Sequence, residues 1–128
     1  MAESILGDKS FKFAIRVIKL YRHLCVEKNE YVLSKQLERS GTAIGALISE
    51  GCFAESKPDF VHKYGIAQKE CNETMYWLRL LYATEFINQK EFDSMMFDAT
   101  ELMKIITASI ITAKKSIKNK RKPPTIND

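Results

Sequence analysis

Apolar residues recur along this chain at three- and four-residue intervals in four long runs, the spacing that lines one face of an α-helix. In the first run Phe13, Ala14, Val17, Ile18, Tyr21, Leu24 and Cys25 form the stripe, while Lys12, Arg16, Lys19 and His23 take the opposite face. A turn at Glu27 to Glu30 follows, in which Asn29 is placed to cap the next helix. That second helix keeps Leu33, Leu37, Ser40, Ile44, Leu47, Ile48 and Gly51 in register. The third opens on Ser56-Lys57-Pro58-Asp59, which supplies a capping hydroxyl, a first-turn proline and an acid positioned to reach back. Its inward stripe is Phe60, Tyr64, Ala67, Cys71, Met75, Leu78 and Leu81. Asn88-Gln89-Lys90-Glu91 repeats the cap-plus-acid pattern and starts a fourth run from Phe92 to Ile117, which Pro123-Pro124 must stop.

The pattern predicts helices over about 9–28, 31–54, 58–84 and 89–120, forming one domain across 1–122, with a disordered tail at 123–128. Linkers this short make consecutive helices antiparallel neighbours, so the expected fold is an all-α, up-down-up-down four-helix bundle. A chain of 128 residues buries enough surface to hold such a core without a metal or disulfide staple. Cys25, Cys52 and Cys71 are an odd number at wide spacings, which fits neither a disulfide framework nor a zinc site. They read as small hydrophobes of a reducing compartment, and no stretch approaches the ~20 apolar residues of a membrane span, so a cytoplasmic location with no membrane partner is expected.

Catalytic chemistry finds little foothold. A di-iron bundle needs two Glu-x-x-His pairs, and the chain has only His23 and His62, with Leu20 and Asp59 three residues before them. No Ser or Cys has an evident His and acid partner set, and Gly41, Gly45 and Gly51 lie within a helix with no phosphate-loop lysine after them. The expectation is therefore a non-enzyme with no cofactor and no metal. Glu50, Glu70 and Glu73 are better matched to basic partners across the bundle, Arg39 and Arg79 being candidates. Gly41, Gly45 and Ser49 recur every four residues, and each glycine costs a helix about 1 kcal/mol relative to alanine. Close approach to another helix offsets that cost, either inside the bundle or in a neighbouring subunit. Trp77, among Tyr64, Tyr76 and Tyr82 on the third helix, suits a core or a subunit interface.

Charge is distributed unevenly. Lys114, Lys115, Lys118, Lys120, Arg121 and Lys122 crowd the end of the fourth helix without an acid, and Lys9, Lys12, Arg16, Lys19, Arg22 and Lys28 face only Glu27 in the first, within a chain of net charge +4. If the start of the first helix lies beside the end of the fourth, Lys9, Lys12, Arg16 and Lys19 share an edge with the terminal cluster. Such an edge would neutralise several phosphates of RNA or DNA, reading backbone and shape rather than bases.

Gln36-Leu37-x-Arg39-Ser40, followed by Ala43-Ile44 and Ile48-Ser49-Glu50-Gly51, resembles the signature of the bacterial four helix bundle proteins, the 23S rRNA intervening-sequence protein group. Asp59-Phe60, Ile66-Ala67, Glu70 and Glu73 with Tyr76-Trp77-Leu78 extend the likeness, and Lys9-Ser10-x-x-Phe13-Ala14 resembles the family's opening, so that residues 8 to 120 are covered. Leu47 departs from it, standing where the family carries Asn four residues before the glycine. The resemblance implies a non-enzymatic bundle that assembles as a homopentamer. It extends to the accessory protein of diversity-generating retroelements, which implies nucleic acid and a reverse transcriptase as partners.

Overall fold

The computed structural model describes residues 2–121, with side chains from Ile5 to Lys120. Four helices follow one another: α1 (Ala2–Lys28), α2 (Leu33–Cys52), α3 (Lys57–Ala83) and α4 (Gln89–Arg121). Each packs on its neighbour in chain order, and α1 closes the ring against α4 along the slimmest of the four seams. All four seams are antiparallel. Val17 and Ser10 of α1 meet Gly41 and Gly45 of α2; Ser40 and Gly51 meet Thr74 and Tyr64 of α3. Gln68 and Lys57 meet Thr107 and Ser116 of α4, while Lys9 and Arg16 meet Glu101 and Asp98. The bundle is therefore up-down-up-down.

The core is built from the predicted stripes. Phe13, Val17, Leu24, Leu37, Ile44, Ile48, Tyr64, Cys71, Leu78, Leu81, Ala99 and Ile106 are buried. Each large side chain among them contributes about 1.5–3 kcal/mol by leaving water. The helix α1 begins at Ala2 rather than near Lys9, because Leu6 extends the stripe one period upstream and is itself fully buried. The predicted tail at 123–128 lies outside the described residues.

Helix ends follow local chemistry. Ser56 Oγ accepts from the Asp59 N–H at 3.2 Å, and Asp59 accepts from the Glu55 N–H at 3.2 Å. Asn88 and Glu91 cap each other reciprocally, at 2.9 and 2.8 Å. The start of α2 differs from the expected Asn29 cap. Asn29 instead adopts a left-handed conformation (φ 54°), which swings Glu30 inward. The Glu30 carboxylate then accepts from the N–H groups of Val32, Leu33 and Ser34 at 3.1, 2.8 and 2.6 Å, and Ser34 Oγ donates to the Glu30 carbonyl. Burial pushes the Glu30 carboxyl up, but the three backbone donors outweigh it and hold it below the usual carboxylate range.

Candidate nucleic-acid interface

The two basic segments are treated differently by the fold. On α1, Lys9 meets Glu101 at 3.0 Å, Lys12 meets Asp8 at 3.0 Å and Arg16 meets Asp98 at 2.5 Å. Arg16 also donates to Ser94 Oγ at 2.8 Å. Lys19 is exposed and forms no ion pair among the described residues. On α4, by contrast, Lys114, Lys115, Lys118 and Lys120 are all exposed and none is ion-paired among the described residues. Lys114 and Lys118 lie one turn apart on one face. The Arg121 side chain and Lys122 fall outside the described residues.

The shared edge expected from the sequence does not form. Because α1 starts at Ala2, Lys9 sits two turns into the helix and beside Glu101. Lys114 lies thirteen residues farther along α4, about 20 Å at 1.5 Å per residue. The end of α4 is flanked instead by the start of α3, where Lys57 donates to Ser116. Two separate basic surfaces result: on α1 three of the four cations are paired with the bundle's own acids, and on α4 the four lysines are open.

Several of the α2 and α3 residues that carry the family resemblance meet at the α2–α3 seam. Arg39 holds Glu70 at 2.9 Å with one nitrogen and Glu73 with the other, and the Trp77 indole N–H donates to Glu73 at 3.1 Å. The Trp77 bond and the Arg39 guanidinium keep the Glu73 carboxyl below its ordinary range. Beneath them the buried Thr74 hydroxyl donates to Ser40 Oγ at 2.9 Å or to the Glu70 carbonyl at 2.8 Å. Glu50 is engaged by Lys63 at 3.3 Å, and Arg79 has no ion pair among the described residues. This arrangement joins two helices, with Glu50, Glu70 and Glu73 each ion-paired across the seam. Among the described residues no group of three or more His, Cys, Asp and Glu is placed to hold a metal ion. No described helix is long and apolar enough to cross a membrane.

The small-residue stripe is only partly a close-packing device. A Cβ at Gly41 would lie 2.8 Å from both methyls of Val17 on α1, so this glycine serves contact inside the bundle. One at Gly45 would meet Ser10 at an ordinary 3.4 Å, and Ser49 is exposed. The tighter fit is at Gly51, where a Cβ would stand 2.5 Å from the Tyr64 ring. Trp77 is half-buried against the core. Sequence reasoning also missed an apolar face between α1 and α2. There Phe11 and Phe53, 67 and 86% exposed, line a groove with Gly7, Ala14, Gly45 and Ala46, and Ile15 is 40% exposed on α1. Phe11 and Ile15 sit one turn apart just outside the core stripe of α1, which is the signal that was available.

Together these features define an all-α antiparallel bundle in which several of the shared motif residues meet at the α2–α3 seam. The model of the 23S rRNA-intervening sequence protein family matches residues 3–108, and the chain belongs to that family. It is similar to a solved structure from Bacteroides thetaiotaomicron VPI-5482, a protein with unknown function from the S23 ribosomal protein family. The two are 46% identical with a TM-score of 0.85, over 86% of this chain and 98% of that one. Comparison with curated proteins gives no match. The open lysines of α4 lie beyond the residues that the family model matches.

Proposed function

We propose that this chain is a non-enzymatic, self-associating helix-bundle protein that binds the backbone of RNA or DNA as an accessory factor, with the end of α4 as its principal contact. The observation that carries the reading is the set of four exposed lysines, Lys114, Lys115, Lys118 and Lys120, none of them ion-paired among the described residues. Cations in that state meet phosphates without first giving up an internal partner, and the counterions they displace from nucleic acid supply the driving force. No base-reading element accompanies them, so the contact is with backbone and shape. The family resemblance supports a homopentamer and a nucleic-acid enzyme such as a reverse transcriptase as a further partner. Fluorescence anisotropy with labelled structured RNA and duplex DNA, comparing the full chain with K114A/K115A/K118A/K120A across salt, tests the reading. Loss of salt-sensitive binding in the variant supports it, and equal binding by both proteins removes α4 from the account.

A second reading, a protein-interaction module that binds no nucleic acid, is favoured by the exposed Phe11, Ile15 and Phe53. Phe11→Asp with Phe53→Asp would then change assembly mass or partner binding, while neither the wild type nor the variant would bind polyanion at low salt.

A further inference from the structure

Three of the four α1 cations read from the sequence as phosphate contacts are already occupied by carboxylates. Two of those carboxylates, Glu101 and Asp98, come from α4. Arg16 donates to oxygens of two α4 residues. Its Nη1 reaches Asp98 Oδ2 at 2.5 Å and the Ser94 carbonyl at 3.4 Å, and its Nη2 reaches Ser94 Oγ at 2.8 Å, so the guanidinium fork meets a cluster of oxygens. Lys9, two turns away on the same flank, meets Glu101 Oε1 at 3.0 Å. The side chains of both pairs are between 34 and 42% exposed, within reach of a ligand from solvent. Seven residues of helix separate the two cations by about 10.5 Å, a span that one nucleic-acid strand can bridge. Exposed Lys19 continues the line toward the far end of the helix.

We infer that the outer edge of the α1–α4 seam is a second phosphate-binding surface masked by the chain's own carboxylates: Glu101 and Asp98 occupy Lys9 and Arg16 in the free protein, and a polyanion strand takes these cations by displacing them. The inference rests on the polyanion reading proposed above and adds to it an internal competitor. Partly exposed ion pairs contribute little net free energy, so exchanging a carboxylate for a phosphate is an accessible step. The seam is also the slimmest in the bundle, so few other contacts resist the exchange. The α4 lysines then act as the unmasked first contact and the α1 flank as a gated second one.

The test compares wild type, D98N/E101Q and a control, E27Q/E85Q. The control makes the same change in net charge at exposed acids near the opposite end of the bundle. Each protein is titrated against a labelled DNA duplex by anisotropy at several salt concentrations, with circular dichroism confirming that the helix content is retained. Asn and Gln keep an oxygen acceptor at each site, so the helices have little reason to move. D98N/E101Q is expected to bind roughly tenfold more tightly than wild type at ~0.1 M salt, from removing two repulsive charges next to phosphate. Its slope of log K against log salt should steepen, because no freed carboxylate takes up cations from solution when the strand binds. The control should gain less than about threefold with an unchanged slope, and adding K9A/R16A should abolish the gain. A D98N/E101Q protein that binds no better than the control, or a gain that survives K9A/R16A, overturns the inference while leaving the α4 contact standing. If no protein binds the duplex even at low salt, the polyanion reading falls and this inference with it.

Discussion

Glu30 offers a sharp test of how local chemistry sets this fold. The residue is 8% exposed, and its carboxylate satisfies the backbone N–H groups of three consecutive residues at the start of α2. Replacement by Ala removes the cap, which is worth about 1–2 kcal/mol, and the favourable charge at the helix N-terminus, worth about 0.3–1 kcal/mol. The expected cost is therefore about 1.5–3 kcal/mol. For a domain of this size 1 kcal/mol shifts the melting midpoint by about 4 °C, so Glu30→Ala should melt some 6–12 °C below wild type at pH 7 by circular dichroism. Glu30→Gln keeps one acceptor oxygen but loses the charge and the second oxygen of the pair that serves the three N–H groups, so it should fall between the two. The pH dependence has a definite sign. Because the folded-state pKa is lowered, the charge stabilises the native state above the ordinary carboxylate pKa, and that contribution is lost as pH falls through the folded value. The gap between wild type and Glu30→Gln should accordingly narrow below about pH 4. A Glu30→Ala protein melting within 1 °C of wild type would refute the capping argument.

Other consequences follow from the buried contacts. Thr74→Val strips the buried Ser40 hydroxyl of its donor and should cost about 1–2 kcal/mol in urea unfolding, whereas Thr74→Val with Ser40→Ala should recover most of that loss; equal costs for both proteins would show that the pair is not coupled. Gly51→Ala should destabilise by up to about 2 kcal/mol net, since overpacking against fully buried Tyr64 costs about 1–3 kcal/mol against a gain of ~1 kcal/mol in helix propensity. Gly65→Ala, with nothing within 4 Å of its new Cβ, should stabilise, and a lower melting midpoint for it would contradict the steric comparison. Exposed Cys52 should react rapidly with a thiol reagent in the folded protein. The Cys71 thiol, pushed up to about 11 by burial, should react only on unfolding; labelling of both at one rate would refute the difference.

Much of the fold was legible because every helix carries its own address. The stripes Phe13–Val17–Leu24 and Tyr64–Cys71–Leu78 name their buried faces directly, and Ser56 and Asn88 mark two helix starts with side chains that do cap. The α2 start was misread because Asn29 is a good capping residue by type, while its left-handed backbone gives the role to Glu30, a longer side chain able to reach three N–H groups. The candidate site was legible in composition but not in register. Counting lysines on α1 and α4 located both basic segments, yet their relation depends on where α1 begins, and Leu6 moves that point upstream of the polar run that hides it. That shift puts Lys9 and Arg16 opposite Glu101 and Asp98, so cations that look available along the chain are engaged in space. Glu50, Glu70 and Glu73 were matched from sequence to basic partners with Arg39 and Arg79 as candidates; Arg39 takes two of them and Lys63 the third, and the Trp77 indole on Glu73 requires the turn-to-turn geometry of α3.

The central claim, that the end of α4 is an open phosphate contact, is tested most directly by the salt dependence of duplex binding. The slope of log K against log salt should be measured by anisotropy for wild type and for K114A/K115A/K118A/K120A, with assembly mass followed in parallel. Wild type should bind in a salt-sensitive way, and the slope should be shallower by about 2–4 in the variant, as up to four phosphate contacts are lost with the assembly intact. An unchanged slope, or no binding by wild type at low salt, would contradict the claim.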